Sequence, residues 1–521
     1  MAVGVKKRLI VCCDGTWMNS AYGYVKPGLL GGRGGLQVPS NVTRISRCFK
    51  RRCSDGTLQI IYYESGVGSG SNVLDSITGG AFGVGLAERV REAYAFLCAN
   101  YRDGDDMLLV GFSRGAFTAR SVAGLLANLG LLTREGVEHF YPIFKDMQNW
   151  HNDDYRDPFP SLPFPEKPRG RDAAAVYRER LVKMGYTRVH QHDGALITVK
   201  AICVWDTWHD TALSDRIEHA FQALALDETR APFSPALWER PRHATTVLKQ
   251  VWFPGNHSNC GGGWDDQGIA NCTLAWMMDQ MASVGVEFDI ESLDRVIQRS
   301  RDHYINTVVK HGRRRRRREK LRKWAVDAIY NANRPVRPWG LGAIQRDASL
   351  LFKLFGSMTR TPGVYKQVDP KTRLDMSEFL RDTNETVHSS VRARLACGGL
   401  GLNDESVWTC PALSSWRLKQ VRFMPSTAKA EVKYHDDDDE DDEEMETRWI
   451  WKYVGDERDA PADPSQRTMR EEPLGPYEAY LLQKCGGRPN VMTFAERRAG
   501  WGGARRRIPG FPGVMMAEGG C

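Results

Sequence analysis

The sequence predicts an α/β fold in which a mostly parallel sheet carries helices on both faces, because short apolar strands alternate with helices through its first half. Strands are predicted where β-rich apolar runs end at turn residues, over 8–13, 58–64, 107–110, 197–205 and 246–253. Helices are predicted where apolar residues recur at helical spacing, over 86–101, 116–129 and 269–284. This alternation indicates strand–helix units, in which successive strands run parallel.

The length of the chain predicts more than one region. Its 521 residues exceed the roughly 250–300 at which a single hydrophobic core stops growing. We expect a core over 1–300 with an insertion at about 145–193, a helical accessory or lid region over 301–430, and a C-terminal region over 431–521. Nine consecutive acids, Asp436–Glu444, predict a disordered segment within the C-terminal region.

Composition and charge exclude several classes of protein. Hydrophobic residues make up 41% and charged residues 26%, a balance typical of globular proteins. The net charge is +8 and six positive charges lie in one run, Arg313–Arg318, so a nucleic-acid partner is not expected. The twelve cysteines contain no C-x-x-C pair, which predicts reduced thiols. We find neither a signal-peptide core nor an apolar run of roughly 20 residues, and we therefore expect a cytoplasmic protein.

A glycine-bracketed serine, in Gly111-Phe112-Ser113-Arg114-Gly115, joins a predicted strand to a predicted helix. A turn tight enough to expose the serine hydroxyl brings its flanking residues close to neighbouring backbone, and glycines avoid the clash. The helix N-terminus also favours developing negative charge, so the Arg114 amide is a candidate oxyanion donor. The placement predicts the nucleophile elbow of an α/β-hydrolase with Ser113 as nucleophile. The alternative is a structural turn with a capping serine.

A serine nucleophile requires a histidine base and an acid that orients it, and in this fold the acid and then the histidine follow the serine along the chain. Asp206 ends a hydrophobic strand in VWDT, and His257 lies in a glycine-rich loop directly after another strand. Both therefore fall at one edge of the predicted sheet. We predict a Ser113, Asp206, His257 triad; the alternatives are a helix-capping acid and a structural histidine.

Two further positions bear on this site. A second oxyanion donor in this fold comes from the loop after an early strand, here the amide of Gly15 or Thr16, for which a plain turn is the alternative. A second histidine, His388, has helix-friendly neighbours, and Thr383 or Asn384 is a suitable N-cap for a helix over 385–395. We interpret His388 as a residue that satisfies a structural hydrogen bond.

A series of motifs resembles, in one order, the catalytic domain family of type VI secretion phospholipase effectors, which are α/β-hydrolases and are also common in fungi. The matching segments are CCDGTW at 12–17, YYESGVGSG at 62–70, GGAFGVGLAERVREAYAFLCANY at 79–101, GFSRGAFTARSVAGLL at 111–126, VWDT at 204–207, ALDE at 225–228 and VWFPGNHSNCGGGW at 251–264. Weaker similarity reaches TRTPGVY at 359–365 and TNETVHSSVRARL at 383–395.

The resemblance implies that Ser113, Asp206 and His257 correspond to the family's nucleophile, acid and histidine. It also implies a substrate class, the acyl esters of lipids or phospholipids. Family members often have aspartate at the position of Asn259.

The predicted function is serine-dependent hydrolysis of carboxylic esters through an acyl-enzyme, with an ester or lipid as substrate and no cofactor or metal ion. We expect the insertion and the region after residue 300 to form walls over the serine that admit an acyl chain. The alternative is a catalytically silent hydrolase-fold protein that acts by binding a partner.

Other readings of the motifs are weaker. A phosphotransferase that uses Asp14 needs a second aspartate where Thr16 stands, and the glycines at 66–70 do not complete a dinucleotide-binding fingerprint. We expect both charge runs to be solvated. The sharper alternatives are contact with anionic lipid headgroups at a membrane surface for Arg313–Arg318, and calcium or a basic partner for Asp436–Glu444.

Overall fold

A computed structural model of the protein describes residues 5–15, 24–25, 35–66, 84–207, 213–310, 337–345, 356–368, 375–423, 446–461, 463–485, 491–492, 506–507 and 515–516. Three of the predicted features lie outside these residues, namely Thr16, Arg313–Arg318 and Asp436–Glu444. Most of the glycine-rich segment at 66–70 also lies outside them.

A ten-stranded sheet organises the fold. Its strands are β1 Lys7–Cys13, β2 Leu58–Glu64, β3 Asp106–Phe112, β4 Val199–Trp205, β5 Ile217–Ala225, β6 Val247–Phe253, β7 Glu385–His388, β8 Trp416–Phe423, β9 Glu446–Tyr453 and β10 Thr468–Glu472. Their order across the sheet is β8-β9-β10-β7-β6-β5-β4-β3-β1-β2. All neighbours from β10 to β2 pair in parallel, whereas β9 is antiparallel to both β8 and β10. The predicted α/β class with a mostly parallel sheet is confirmed.

Helices surround this sheet. They are α1 Asn41–Ser46, α2 Val84–Asn100, α3 Arg114–Leu129, α4 Arg134–Glu138, α5 Phe140–Asn149, α6 Ala173–Lys183, α7 His257–Gly261, α8 Gly268–Ser283, α9 Ile290–Lys310, α10 Ser389–Ala396 and α11 Pro476–Cys485. Short 3-10 helices lie at Ala231–Phe233, Pro411–Leu413, Glu457–Asp459 and Pro464–Arg467. Among the residues described, no helix is both long enough and apolar enough to cross a bilayer.

Three two-stranded pairs lie apart from the main sheet. They join Tyr24–Val25 with Gly35–Leu36, Lys366–Val368 with Asp375–Phe379, and Arg506–Arg507 with Met515–Met516.

Apolar side chains fill both faces of the sheet. Along β1, Leu9 and Val11 join the core under α2, α3, α5 and α6, whereas Ile10 and Cys12 join the core under α1, α8 and α9. This alternation follows from the two-residue repeat of a strand. A sheet covered on both faces needs strands that are apolar throughout, which is why its strands read as continuous apolar runs.

The sheet continues beyond residue 301, where the sequence predicts accessory regions. Strands β7 to β10 extend it past β6, and a third apolar cluster joins Leu224 and Trp252 with Val387 and Trp451. The predicted domain boundaries remain a prediction. The late residues nevertheless share the sheet that carries the early strands.

The part of the predicted insertion that forms α6 packs at the end of α3 remote from Ser113. Arg178 on α6 donates to the carbonyls of Ala127 and Asn128 at 2.9 and 3.1 Å. With a rise of 1.5 Å per residue, these carbonyls lie roughly 20 Å along α3 from its first turn. These contacts place α6 away from Ser113, so α6 itself is not part of the expected wall over the serine.

Candidate active site

Ser113 occupies a sharp turn between β3 and α3. Its φ of 58° and ψ of −126° lie in a region that residues other than glycine rarely adopt. A Cβ on Gly111 would lie 2.6 Å from Ala116 Cα, and one on Gly115 would lie 2.1 Å from the Cys13 carbonyl oxygen. Only glycine fits at either position. The turn has the backbone form of a nucleophile elbow.

Asp206 stands beside this turn because β3 and β4 are adjacent and parallel. Phe112 pairs with Trp205, so Ser113 and Asp206 each follow a member of one register pair. The Ser113 amide donates to the Trp205 carbonyl at 3.3 Å. Asp206 also has a positive φ, 38°. Both predicted residues therefore lie at the carboxyl edge of the sheet.

His257 opens the short helix α7 just after β6. Asn256 is its N-cap: the Asn256 side chain accepts from the Asn259 amide at 3.0 Å, and the Asn259 side chain accepts from the Asn256 amide at 3.2 Å. Asn259 Nδ2 also donates to the Ala343 carbonyl at 2.9 Å. Asn259 thus anchors the turn that carries the histidine.

Asp206 and His257 form a buried pair. Asp206 Oδ2 and His257 Nδ1 are 2.7 Å apart, and the two residues are 1% and 4% exposed. The Ala225 amide donates to Asp206 Oδ1 at 3.0 Å, which fixes the other carboxylate oxygen. A hydrogen bond this short in a buried site holds the imidazole in one orientation.

Arg360, which was not among the residues predicted for the site, completes the surroundings of Asp206. Its guanidinium contacts Asp206 Oδ1 through Nη1 and donates to Oδ2 from Nη2 at 3.0 Å. Burial alone raises the pKa of Asp206, but the Arg360 charge and the hydrogen bonds from His257 and Arg360 outweigh it and hold the pKa below its ordinary value. The only sequence signal was the weak family similarity at 359–365.

Aromatic and charged groups enclose the imidazole of His257. The rings of Phe112 and Phe233 lie 4.7 and 4.9 Å from it, centroid to centroid. Glu228 accepts from the His257 amide at 3.2 Å and pairs with Arg230, whose guanidinium lies over the Phe233 ring at 3.7 Å. Burial raises the pKa of Glu228, but Arg230 outweighs it and the pKa lies below its ordinary value. Glu228 was absent from the predicted site.

The candidate oxyanion donors differ in their surroundings. Arg114 begins α3, so its amide lies at the helix N-terminus directly after Ser113. Gly15 is close to the serine, because a Cβ on it would lie 3.3 Å from Ser113 Cβ, but its amide donates to Asp14 Oδ1 at 2.7 Å. The structure therefore shows the Gly15 amide engaged within its own turn, and Thr16 lies outside the described residues.

Asp14 is enclosed by hydrogen bonds. It accepts from the hydroxyls of Ser40, Thr43 and Tyr63 at 2.6, 2.5 and 2.7 Å, besides the Gly15 amide. Burial raises the pKa of Asp14, and these four donors oppose the rise. The arrangement suits a carboxylate that ties β1 to its neighbours, which weakens the reading of Asp14 as a phosphoryl-accepting nucleophile.

A small cleft lies beside the serine turn. It is lined by Cys13, Asp14, Glu64, Leu86, Arg89, Arg114, Gly115 and Thr118. Burial raises the pKa of Glu64 to about 7, an effect that Arg89 opposes and Glu92 reinforces. Glu64 and Arg89 form an ion pair of 3.2 Å, so this wall of the cleft is polar.

The segment around His388 differs from its prediction. The sequence predicts a helix over 385–395 that begins after Thr383 or Asn384, but the structure has β7 followed by α10, with His388 as the N-cap. That prediction is wrong because β7 lies between β6 and β10, and strand pairing overrides local helix propensity.

His388 itself is a structural residue. Its Nε2 lies 2.5 Å from Glu478 Oε1 and its Nδ1 lies 2.7 Å from Ser390 Oγ, with the whole side chain buried. Both ring nitrogens are therefore used within the core. The interpretation of His388 as a structural hydrogen-bonding residue is confirmed.

Comparison with known proteins gives a family match. The family described as type VI secretion system, phospholipase effector Tle1-like, catalytic domain matches residues 7–280. The uncharacterized protein YEL023C of Saccharomyces cerevisiae is 25% identical over 246 residues, which are 44% of this chain and 32% of the yeast protein. The chain therefore aligns with about a third of that relative.

Two solved structures show weaker similarity. One is an uncharacterized protein from Pseudomonas aeruginosa, with 16% identity and a TM-score of 0.30 over 55% of this chain and 47% of that one. The other is the Tle1 effector bound to the VgrG spike of the type 6 secretion system, with 17% identity and a TM-score of 0.26 over 51% of this chain and 52% of that one. The chain spans about half of each.

Proposed function

Because the chain belongs to the family of type VI secretion Tle1-like phospholipase effector catalytic domains, we propose that it hydrolyses the acyl esters of lipids or phospholipids with a Ser113, His257, Asp206 triad. The observation that carries the proposal is the buried Asp206–His257 pair at 2.7 Å, formed at the same sheet edge as the strained Ser113 turn. Strain and buried charge cost stability, and they collect at sites where chemistry requires them.

The proposed mechanism uses each residue in one role. Ser113 Oγ attacks the acyl carbon while its proton passes to His257 Nε2, the ring nitrogen that does not contact Asp206. Asp206 stabilises the imidazolium that forms. The proton then passes to the leaving alcohol, and an acyl-enzyme remains. Water attacks this acyl-enzyme in the same manner and releases the carboxylic acid.

Charge on the carbonyl oxygen needs a donor in the transition state. The Arg114 amide is the best placed donor to this oxygen, because it follows Ser113 at the start of α3, where the helix dipole favours an anion. A second donor from Gly15 requires its amide to leave Asp14 Oδ1 when substrate binds. The Thr16 amide is the other candidate.

The substrate class rests on the family to which the chain belongs, that of Tle1-like phospholipase effector catalytic domains. Contact of Arg313–Arg318 with anionic headgroups remains a prediction from the sequence.

A fluorophosphonate probe on the purified full chain tests the proposal. We expect covalent labelling of Ser113, located by mass spectrometry, and its loss in Ser113→Ala. Ser121→Ala, which removes a hydroxyl from the same helix two turns later, is the matched control and should label normally. Labelling that persists in Ser113→Ala would reassign the nucleophile.

Substrate preference is measured separately, with C4, C8 and C16 esters and with phosphatidylcholine vesicles. We expect turnover to depend on acyl length. A wild-type protein that neither labels nor cleaves any of these esters would instead support the silent, partner-binding alternative.

A further inference from the structure

We propose that Arg360 is a positioning residue of the triad, which holds the Asp206 carboxylate in the orientation that serves His257. The inference rests on the function proposed above and extends it, because Arg360 lies outside residues 7–280, the range that the family match covers. The catalytic unit of this chain then includes a residue from its second half.

The contacts of Arg360 fix the plane of the carboxylate. Both terminal nitrogens face Asp206, one toward each oxygen. The same nitrogens donate to the carbonyls of Ala225 and Phe233 at 2.7 and 2.8 Å, which anchors the guanidinium itself. A planar guanidinium that bonds both carboxylate oxygens fixes the orientation of the Asp206 carboxylate as well as neutralising its charge. A compact ammonium supplies the charge but does not fix the orientation.

Backbone pairing delivers Arg360 to this place. The Met358 amide donates to the Thr229 carbonyl at 2.8 Å, and the Ala231 amide donates to the Gly356 carbonyl at 3.4 Å. Arg360 follows two residues after Met358 and is 1% exposed. The segment 356–360 therefore pairs with the loop after β5, and this pairing brings the Arg360 side chain into contact with Asp206.

The charges around His257 are balanced in pairs. Asp206 pairs with Arg360, and Glu228, which contacts the His257 backbone, pairs with Arg230. The positive charge of Arg360 offsets part of the attraction between the Asp206 carboxylate and a protonated His257. If Arg360 is removed, Asp206 stabilises the protonated histidine more strongly. Because only the neutral histidine acts as a base, activity then begins to fall at a higher pH.

The experiment compares Arg360→Met and Arg360→Lys with wild type in the full chain. Arg392→Met is the matched control: Arg392 is also buried and pairs bidentately with a carboxylate, Glu471, at 2.7 and 2.8 Å. We measure kcat/KM for a short acyl ester across pH, and unfolding temperature for each variant.

We expect Arg360→Met to lower kcat/KM by roughly ten- to a hundredfold, by analogy with the loss of a residue that orients a metal-ligating side chain, and to move the acid limb of the profile to higher pH. Arg360→Lys should keep the acid limb and lower the rate, because an ammonium retains the charge but lacks the fork. Arg392→Met should lower the unfolding temperature with little change in either kinetic quantity.

An unchanged acid limb in Arg360→Met, with a rate loss no larger than that of Arg392→Met, would overturn the inference. If Arg360→Met does not fold, Arg360→Lys decides, since a wild-type rate in that variant would show that the fork is not needed.

Proton NMR monitors the Asp206–His257 pair without any ester turnover, because a histidine N–H bonded to a carboxylate gives a resonance far downfield. A titration of this resonance that moves to higher pH in Arg360→Met supports the positioning role even for a protein that labels no probe. That combination would reject the proposed hydrolase while keeping the role of Arg360. Active wild type with an unmoved resonance in the variant would reject only the role of Arg360.

Discussion

At the scale of single residues, the site concentrates unfavourable features at the carboxyl edge of the sheet. Ser113 and Asp206 both have positive φ, and Asp206, His257 and Arg360 are ionisable groups that water hardly reaches. An unpaired charge at such a position would be strongly destabilising, so each charge has a specific partner. Substitutions at these positions therefore show whether the site needs only the side chain itself or also the orientation that its partner gives it.

Asp206→Asn should lower kcat by up to roughly 10⁴-fold and leave residual activity, since the serine and the helix N-terminus remain. The amide cannot stabilise the imidazolium. Asp227→Asn is the control: Asp227 accepts from the Gly255 amide and from Trp408 Nε1 at 2.6 and 2.8 Å. A larger kinetic loss in Asp227→Asn than in Asp206→Asn would identify a different acid.

His257→Ala should remove ester turnover, because the serine then lacks the base that takes its proton. His388→Ala should instead lower the unfolding temperature, because Glu478 would lose its buried partner. The two histidines would have to exchange roles if His257→Ala kept its turnover while folded His388→Ala lost it.

At the scale of elements, the strand-turn-helix of β3 and α3 depends on how closely β1 passes it. The position of a Gly115 Cβ lies 2.1 Å from the Cys13 carbonyl oxygen and 2.6 Å from that of Asp14. The end of β1, not the turn alone, therefore requires this glycine. A second contact between elements is made by Asp279 of α8, which accepts from amides in the first turn of α11.

Gly115→Ala should force β1 and the serine turn apart, with a large loss of probe labelling and destabilisation of roughly 1–3 kcal/mol. Gly124→Ala in the same helix is the control, because no atom lies within 4 Å of its Cβ position. That variant should label normally and gain roughly 0.5–1 kcal/mol of stability. Normal labelling in Gly115→Ala would contradict the packing argument.

Asp279 on α8 joins that helix to α11, since it accepts from the amides of Tyr477 and Glu478 at 2.8 and 3.0 Å. Burial raises the pKa of Asp279 to about 7, the two amides oppose the rise, and repulsion from Glu478 adds to it. The unfolded chain releases the Asp279 proton near the ordinary pKa of 3.8, whereas the folded protein keeps it up to a pH of about 7. The contribution of this group to the free energy of unfolding therefore falls as pH rises from about 4 to 7.

Asp279→Asn cannot titrate and should lack this loss. Its unfolding temperature, relative to wild type, should therefore rise between pH 4.5 and 7.5. A difference between the two proteins that stays constant across this range would show that Asp279 does not titrate there.

At the scale of the whole molecule, one sheet joins the two halves of the chain. Strand β7 pairs with β6, and Trp252 of β6 donates from Nε1 to Glu385 of β7 at 2.8 Å. Arg360 reaches the active-site edge from the same half. Residues 7–280 therefore contain the three triad candidates but neither β7, the outer neighbour of β6, nor Arg360, the cation that pairs with Asp206.

A chain ended after residue 300 should fail to fold into a probe-reactive protein. It would expose the β6 edge and leave Asp206 buried without Arg360. Solubility, circular dichroism and fluorophosphonate labelling measure this outcome. A soluble fragment that unfolds cooperatively and labels at Ser113 would show that the first half is self-sufficient.

The sequence by itself determined the alternation of strands and helices, the glycine-bracketed serine turn, and the acid and histidine at later strand ends. Each of these is a local signal, since turn chemistry and apolar runs depend on neighbours along the chain. The predicted strands at 8–13 and 58–64 differ little from β1 and β2 for the same reason.

Only the tertiary structure decided that Arg360 meets Asp206, 154 positions earlier in the chain, and that the segment at 385–388 is a strand. It also decided that α6 packs on the remote end of α3 rather than over the serine. A buried ion pair or an inserted central strand gains its stability from partners distant in sequence. Neither the arginine nor the strand carries a pattern in its own neighbourhood that indicates those partners.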